Sequence, residues 1–125
     1  MSQGQWSYTK VLSSTNDVSI EATAALEIPR EKIDELAALL SQAQRDELMN
    51  PHNASTLMDV YVPGTVKTNL YLTRVWNKRV GYLGKGDWGE FVQKQGLKKG
   101  DKVILHYVNF AGFNELQLRL ERQYL

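Results

Sequence analysis

The sequence contains no cysteine, only two histidines, and no apolar run long enough to span a bilayer. Without cysteine there are no disulfides and no thiolate zinc sites, and His52 and His106 are the only imidazole ligands. The first residues, MSQGQWSY, lack the basic flank and apolar region of a signal peptide. We therefore expect an intracellular protein that binds neither a membrane nor a metal.

Motifs for catalysis and phosphate binding are also missing. The serines at positions 13, 14, 19, 41 and 55 lie in no G-x-S-x-G elbow. Gly84-Lys85-Gly86 lacks the spacing of a phosphate loop and precedes a helix that starts with an acid. Asp34 and Glu35 are adjacent on a predicted helix, where neighbours diverge by roughly 100°, which makes a catalytic pair improbable. We predict that the chain is not an enzyme and uses no small-molecule cofactor.

The net charge of +1 hides an uneven distribution. Residues 1–60 hold four Lys or Arg and nine Asp or Glu, a net of −5, whereas residues 61–125 hold eleven and five, a net of +6. A polyanion responds to a local basic face rather than to the average charge. The second half of the chain can therefore supply a basic face.

Most of the predicted secondary-structure elements have the residue patterns of β-strands. A chain of 125 residues predicts one domain, with residues 1–7 as a flexible N-terminus. Alternating or β-branched residues predict strands at 8–12, 23–28, 57–62, 69–76, 103–108 and 115–121, the last two forming a hairpin. The pattern indicates a mainly β fold of about seven short strands and two helices, built as a small barrel or sandwich.

The two predicted helices have clear starts. The first follows Pro29, and its apolar positions have helical spacing: Ile33, Leu36, Ala37 and Leu40. The second begins at Asp87, where Glu90 completes a capping-box-like pair, and it ends at Gly96. Its apolar face consists of Trp88, Phe91 and Val92. Residues 41–55 lose this periodicity, so we expect a connection there that begins, at most, as a frayed extension of the first helix.

An ordered set of residues resembles the plant-type B3 DNA-binding domain. The matching positions are Trp76, Asn77, Tyr82, Trp88, Phe91, Val92, Leu97, Gly100 and Asp101, and the spacing from Trp76 to Val92 matches without a gap. Upstream, Lys10-Val11-Leu12-Ser13, Asp17-Val18-Ser19 and Leu26-Glu27-Ile28-Pro29-Arg30 are similar to the family's first strand, N-terminal arm and second strand. The resemblance covers nearly the whole chain.

The resemblance implies a fold and a function. The fold is a seven-stranded open β-barrel, and the function is sequence-specific binding of double-stranded DNA by a nuclear transcription regulator. Two loops would enter the major groove: an N-terminal arm (residues 10–19) and a C-terminal arm (residues 74–82). We expect Lys10 and Lys85 to contact phosphates. The full set of expected DNA contacts is Lys10, Ser13, Ser14, Thr15, Asn16, Arg74, Trp76, Asn77, Lys78, Arg79 and Lys85.

The chain departs from the family's pattern after the N-terminal arm. Residues 19–25 contain Glu21 and no cation, and this segment is about two residues longer than in the family. Two other hypotheses stay open: a DNA-recognition domain of a restriction endonuclease, and a B3-like protein-interaction domain that has lost DNA binding. We interpret Lys98, Lys99 and Lys102 as solvated turn residues rather than DNA contacts.

Overall fold

Seven strands and three helices make up the described part of the chain. The computed structural model describes residues 4–12, 18, 24–50, 54–62, 68–75, 77–110 and 113–121. The strands are β1 (Gly4–Val11), β2 (Leu26–Pro29), β3 (Ser55–Tyr61), β4 (Thr68–Arg74), β5 (Val80–Leu83), β6 (Lys102–Phe110) and β7 (Phe113–Glu121). The helices are α1 (Arg30–Ala37), α2 (Gln42–Leu48) and α3 (Trp88–Gln95). The mainly β prediction is confirmed.

The strands form one sheet in the order β1-β6-β7-β3-β4-β5-β2. It contains two antiparallel groups, and among the described residues these are joined where Val60 and Tyr61 of β3 run parallel to Leu116 and Gln117 of β7. β1 and β2 are the edges, and no backbone pairing joins them within the described residues. Closure of the sheet as a barrel therefore stays a prediction.

The N-terminal strand begins earlier than the sequence indicated. Residues 1–7 were predicted to be flexible, but β1 starts at Gly4, and residues 1–3 lie outside the described part. Trp6 is buried, and its Nε1–H donates to the Lys32 carbonyl oxygen at 2.8 Å. The buried Trp6 ring and the hydrogen bond of its N–H therefore fix the start of β1 to α1.

The first helix follows β2 directly. Pro29 has an extended backbone (φ −55°, ψ 138°) and ends the strand, and Arg30 opens the helix. The helix ends at Ala37, and Leu40 lies in the turn that follows. All four predicted apolar positions are buried: Ile33, Leu36, Ala37 and Leu40. The predicted amphipathic face therefore packs on the core.

A third helix lies where we predicted a connection. α2 begins after Ser41, whose hydroxyl accepts from Gln44 N at 3.2 Å while Gln44 Oε1 accepts from Ser41 N at 3.4 Å. This reciprocal pair is a capping box, which satisfies two backbone donors at the helix start. Leu48 is the only buried residue within α2, which explains why apolar periodicity did not indicate this helix.

The last helix is confirmed, but its predicted cap is wrong. Trp88 is fully buried and stacks on Phe91, with ring centroids 5.1 Å apart. Gly96 ends the helix with φ 63°, the left-handed conformation that glycine favours. Asp87, however, makes no side-chain capping bond: its backbone lies in the right-handed helical region, and its own N–H, the predicted partner of Glu90, donates to Gly84 O at 2.8 Å.

The buried side chains form one hydrophobic cluster with members from β1 to β7 and all three helices. Within the part of the chain that is described, no helix is long and apolar enough to cross a membrane. Nor do those residues contain a group of three or more His, Asp or Glu that could hold a metal ion.

Candidate nucleic-acid interface

The polar tip of the C-terminal arm lies in the loop between β4 and β5, residues 75–79. Lys78 N donates to Val75 O at 3.2 Å and closes a turn. The side chains of Asn77, Lys78 and Arg79 are exposed, and none of the three bonds to another described residue. Trp76 lies outside the described residues. The arm therefore presents one amide and two cations to solvent.

Two contacts fix the base of this loop on α1. The backbone N–H of Arg30 donates to the Arg79 carbonyl oxygen at 2.8 Å. Arg74 Nε donates to Asp34 Oδ1 at 2.8 Å, and the Arg74 side chain is only 15% exposed. The structure thus gives Arg74 a positioning role, whereas its contact with DNA stays a prediction. Asp34, for which the sequence indicated only that a catalytic role is improbable, is the partner that holds Arg74.

Gly81 allows β5 to pass between β4 and α1. A Cβ atom at this position would overlap Ile33 Cδ1 and the Thr73 carbonyl oxygen. Backbone can approach this closely only where there is no side chain. Gly81 therefore holds α1 against the two strands that carry the loop.

A groove of about 570 Å³ lies between this loop and the first turns of α1. Its lining residues are Pro29, Arg30, Glu31, Asp34, Asn77, Lys78 and Arg79. The lining contains three cations and two carboxylates, and the Asp34 carboxylate is already paired with Arg74. Opposite charges favour an anion on the loop side of the groove, while Glu31 repels one on the α1 side.

The N-terminal arm is described at its base and at Val18, whereas Ser13, Ser14, Thr15 and Asn16 lie outside the described residues. Leu12 is fully buried, and its N–H donates to Asp101 O at 2.8 Å, while Gly100 N donates to Leu12 O at 2.7 Å. The carboxylate of Asp101 accepts from Lys98 N at 2.9 Å. The glycine–aspartate turn therefore fixes the point from which the arm leaves β1.

Lys10 joins the base of the N-terminal arm to β2. Its ammonium donates to the Glu27 carbonyl oxygen at 3.2 Å. Arg30, three residues after Glu27, bonds to Arg79 of the other arm. Three residues of extended chain separate these two contacts by about 10 Å. β2 thus spaces the two arms.

Lys85 is exposed in the turn before α3, and its ammonium lies 5.9 Å from the centroid of the Tyr82 ring. Tyr82 pairs with Glu27 of β2 and with Thr73 of β4 on the partly exposed side of the sheet. Since paired residues in a sheet share a face, Tyr82 lies beside the Lys10 contact. The predicted phosphate contacts Lys10 and Lys85 therefore belong to one region.

Sequence reasoning missed Arg30 as a member of the site. Only the pairing of Pro29 with Val80 places Arg30 beside Arg79, and this pairing joins distant parts of the chain. No local pattern around Arg30 indicates it.

No protein-family model and no curated protein sequence matches the chain. Solved structures do match. The hypothetical Arabidopsis thaliana protein At1g16640.1 is 14% identical, with a TM-score of 0.58 over 98% of this chain and 95% of that one. The FUS3 chain of an Arabidopsis FUS3–DNA complex is 16% identical, with a TM-score of 0.61 over 94% and 97%. At this identity the likeness concerns the fold, and it confirms the predicted resemblance to the B3 domain at that level.

Proposed function

We propose that the chain is a non-enzymatic, sequence-specific double-stranded DNA-binding domain that regulates transcription in the plant nucleus. The observation that carries this proposal is the exposed Asn77-Lys78-Arg79 tip on a base fixed by α1. Support also comes from the fold, which is similar to that of a protein solved in complex with DNA.

In the proposed mechanism the C-terminal arm reads bases. Arg79 can pair with the O6 and N7 atoms of guanine, and Asn77 can pair with the N6 and N7 atoms of adenine. Trp76 would pack on a sugar or a thymine methyl group. These contacts need a fixed loop, since side chains discriminate bases only when their own positions are set. The Arg30–Arg79 bond and the Arg74–Asp34 pair provide that constraint.

The remaining cations set the register on the phosphates. Lys78 and Lys85 are exposed, and the Lys10 ammonium, which donates to Glu27 O, lies at the base of the N-terminal arm. The arm residues Ser13, Ser14, Thr15 and Asn16 would add hydroxyl and amide donors. Such contacts position a protein without reading sequence.

An open barrel would serve this mechanism by bringing the two arms to one side. The Lys10–Glu27 contact supports it, because it joins the edge strands β1 and β2 through a side chain. A spacing of about 10 Å between the arm contacts on β2 is comparable to a major groove of about 12 Å.

Selection from a random duplex library tests the proposal. We expect one enriched motif, bound more tightly than a scrambled duplex. The contacts of Lys10, Lys78 and Lys85 alone should contribute about −2.7 to the slope of log K against log salt. Weak binding with no enriched motif would contradict the proposal.

A protein-interaction domain is the second candidate, favoured by one observation. Leu57 and Tyr71 are paired across β3 and β4 and are 43% and 48% exposed. Adjacent exposed apolar side chains are typical of a contact with another protein. This candidate predicts that Leu57→Ser abolishes binding to a protein partner, and that DNA binding does not respond to salt.

A further inference from the structure

The turn formed by residues 97–101 (LKKGD) lies against the base of the N-terminal arm. The two hydrogen bonds between Leu12 and the Gly100–Asp101 backbone extend the antiparallel pairing of β1 with β6 beyond Val11 and Lys102. From sequence we interpreted the lysines of this turn as solvated. The fold places them beside a predicted DNA-contacting loop, although the two segments are far apart in the chain.

This turn presents two positive charges, Lys98 and Lys99, at the surface, while its one acidic residue, Asp101, is buried. Lys98 and Lys99 are exposed, and neither side chain bonds to another residue in the described ranges. Asp101 is 6% exposed, and its carboxylate accepts from the Lys98 backbone. By contrast, Lys94 on α3 pairs with Glu90 at 2.9 Å. The two lysines of the turn therefore differ from the nearest helical lysine in having no acidic partner.

The turn also faces open space. Gly100 has φ +93°, and a Cβ atom there would meet no atom within 4 Å. A phosphate group could approach the two ammonium groups without displacing a packed side chain. A fixed turn that bears two unpaired cations is the kind of surface that exchanges counterions for phosphates.

We propose that Lys98 and Lys99 bind DNA phosphates, in addition to the proposed contacts of Lys10, Lys78 and Lys85. They would place beside the N-terminal arm the positive charge that residues 19–25 lack. This inference rests on the proposed function. The contact does not read sequence: it holds the DNA backbone near the arm while the C-terminal arm selects the bases.

Glutamine variants test this proposal, measured on the selected duplex and on a scrambled one between 50 and 200 mM salt. Each of Lys98→Gln and Lys99→Gln should reduce the magnitude of the log–log salt slope by about 0.9, and the double variant by about 1.8. Between 50 and 200 mM salt, the fold-loss of affinity should thus be about ten times larger for wild type than for the double variant. The preference for the selected duplex should persist. Phosphate ethylation should identify flanking phosphates that matter for wild type but not for the double variant.

Lys94→Gln is the control, because it removes one charge from a lysine that is already paired and lies on α3. We expect it to keep the wild-type salt slope. The inference is overturned if the double variant keeps the wild-type slope, or if Lys94→Gln lowers the slope as much as Lys99→Gln does. Failure of the proposed function has a different signature: wild type itself would show no preference for the selected duplex. Unchanged thermal unfolding midpoints would verify that all variants are folded.

Discussion

The two arms are anchored in different ways. Apart from the Arg30–Arg79 backbone bond, the base of the C-terminal arm depends on side chains: an ion pair between Arg74 and Asp34, and the absence of a side chain at Gly81. The base of the N-terminal arm depends on backbone bonds between Leu12 and the Gly100–Asp101 turn. Substitutions should therefore affect the first arm through its own residues and the second through a turn far along the chain.

This difference matches the roles that we propose. Base reading needs side chains held to within about half an ångström, and the contacts with α1 restrain the loop that would do it. Phosphate contacts need less precise placement, since they carry no sequence information. The N-terminal arm, whose one cation, Lys10, lies at its base, can therefore be held mainly by backbone bonds.

Gly81→Ala tests the steric anchor and should have the largest effect. The added Cβ would overlap Ile33 and the Thr73 carbonyl, so we expect unfolding free energy to fall by about 3 kcal/mol. Gly86→Ala is the control: it has φ +95° and no neighbour within 4 Å, so only backbone strain of about 1 kcal/mol is expected. Urea unfolding of both variants measures the difference. Equal losses would show that β5 does not need glycine for packing.

Arg79→Ala tests the division between base reading and phosphate contact. We expect binding of the selected duplex to weaken by about 2 kcal/mol, with relaxed preference at one base pair. Lys85→Ala should weaken binding to all duplexes to a similar extent, because a phosphate contact is independent of sequence. Titration of both variants on selected and scrambled duplexes compares them. A uniform loss for Arg79→Ala would remove it from the base-reading set.

Asp101→Ala tests the anchor of the other arm. The Lys98 N–H would lose its partner, the nearly buried Asp101 carboxylate, so we expect a stability loss of about 1.5 kcal/mol. Asp87→Ala is the matched control, since Asp87 is exposed and makes no side-chain capping bond, and it should cost less than about 0.5 kcal/mol. Thermal unfolding compares the two. Similar losses would mean that the Asp101 carboxylate does not stabilise the turn.

The limits of sequence reasoning are clearest where one motif occurs twice. Ser41-x-x-Gln44 forms a capping box in the structure, yet α2 was not predicted, because a single buried leucine gives no apolar periodicity. Asp87-x-x-Glu90 was predicted to cap α3 but does not, because the Asp87 backbone is in the right-handed helical region and its N–H, which Glu90 would have bonded, already donates to Gly84 O. A capping motif indicates a helix start only if the preceding backbone leaves those donors free.

Local signals did predict most of the elements. Ala24, Leu26 and Ile28 alternate with half-buried Glu27, and the apolar faces of α1 and α3 are buried as expected. β5 was missed, because a segment of four residues that contains glycine has no distinctive alternation. The contacts that shape the site, Arg30–Arg79, Arg74–Asp34 and Leu12–Asp101, join distant segments and depend on sheet order. Such pairings cannot be inferred from local patterns.

Tyr107→Phe serves as a reference that belongs to neither arm. Tyr107 is 1% exposed between Trp6 of β1 and Leu116 of β7, and its hydroxyl has no hydrogen-bond partner within the described structure. Because a buried hydroxyl without a partner carries a desolvation cost, its removal should raise unfolding free energy by about 1 kcal/mol. DNA affinity, salt slope and sequence preference should equal those of wild type. A change in preference would show that the sheet centre is coupled to the arms.

The pH dependence gives this prediction a second, independent measurement. Burial raises the pKa of the Tyr107 hydroxyl above its ordinary value of 10.0. Below pH 10 the hydroxyl is protonated in both the folded and the unfolded state, so its contribution to the unfolding free energy does not vary with pH. Between pH 10 and the higher pKa of the folded state, the unfolded chain releases the proton while the folded protein keeps it. Wild type therefore loses stability as pH rises through this range. The phenylalanine variant lacks this titration, so its advantage in urea unfolding should widen above pH 10. An advantage that stays constant there would mean that the Tyr107 hydroxyl reaches solvent in the folded protein.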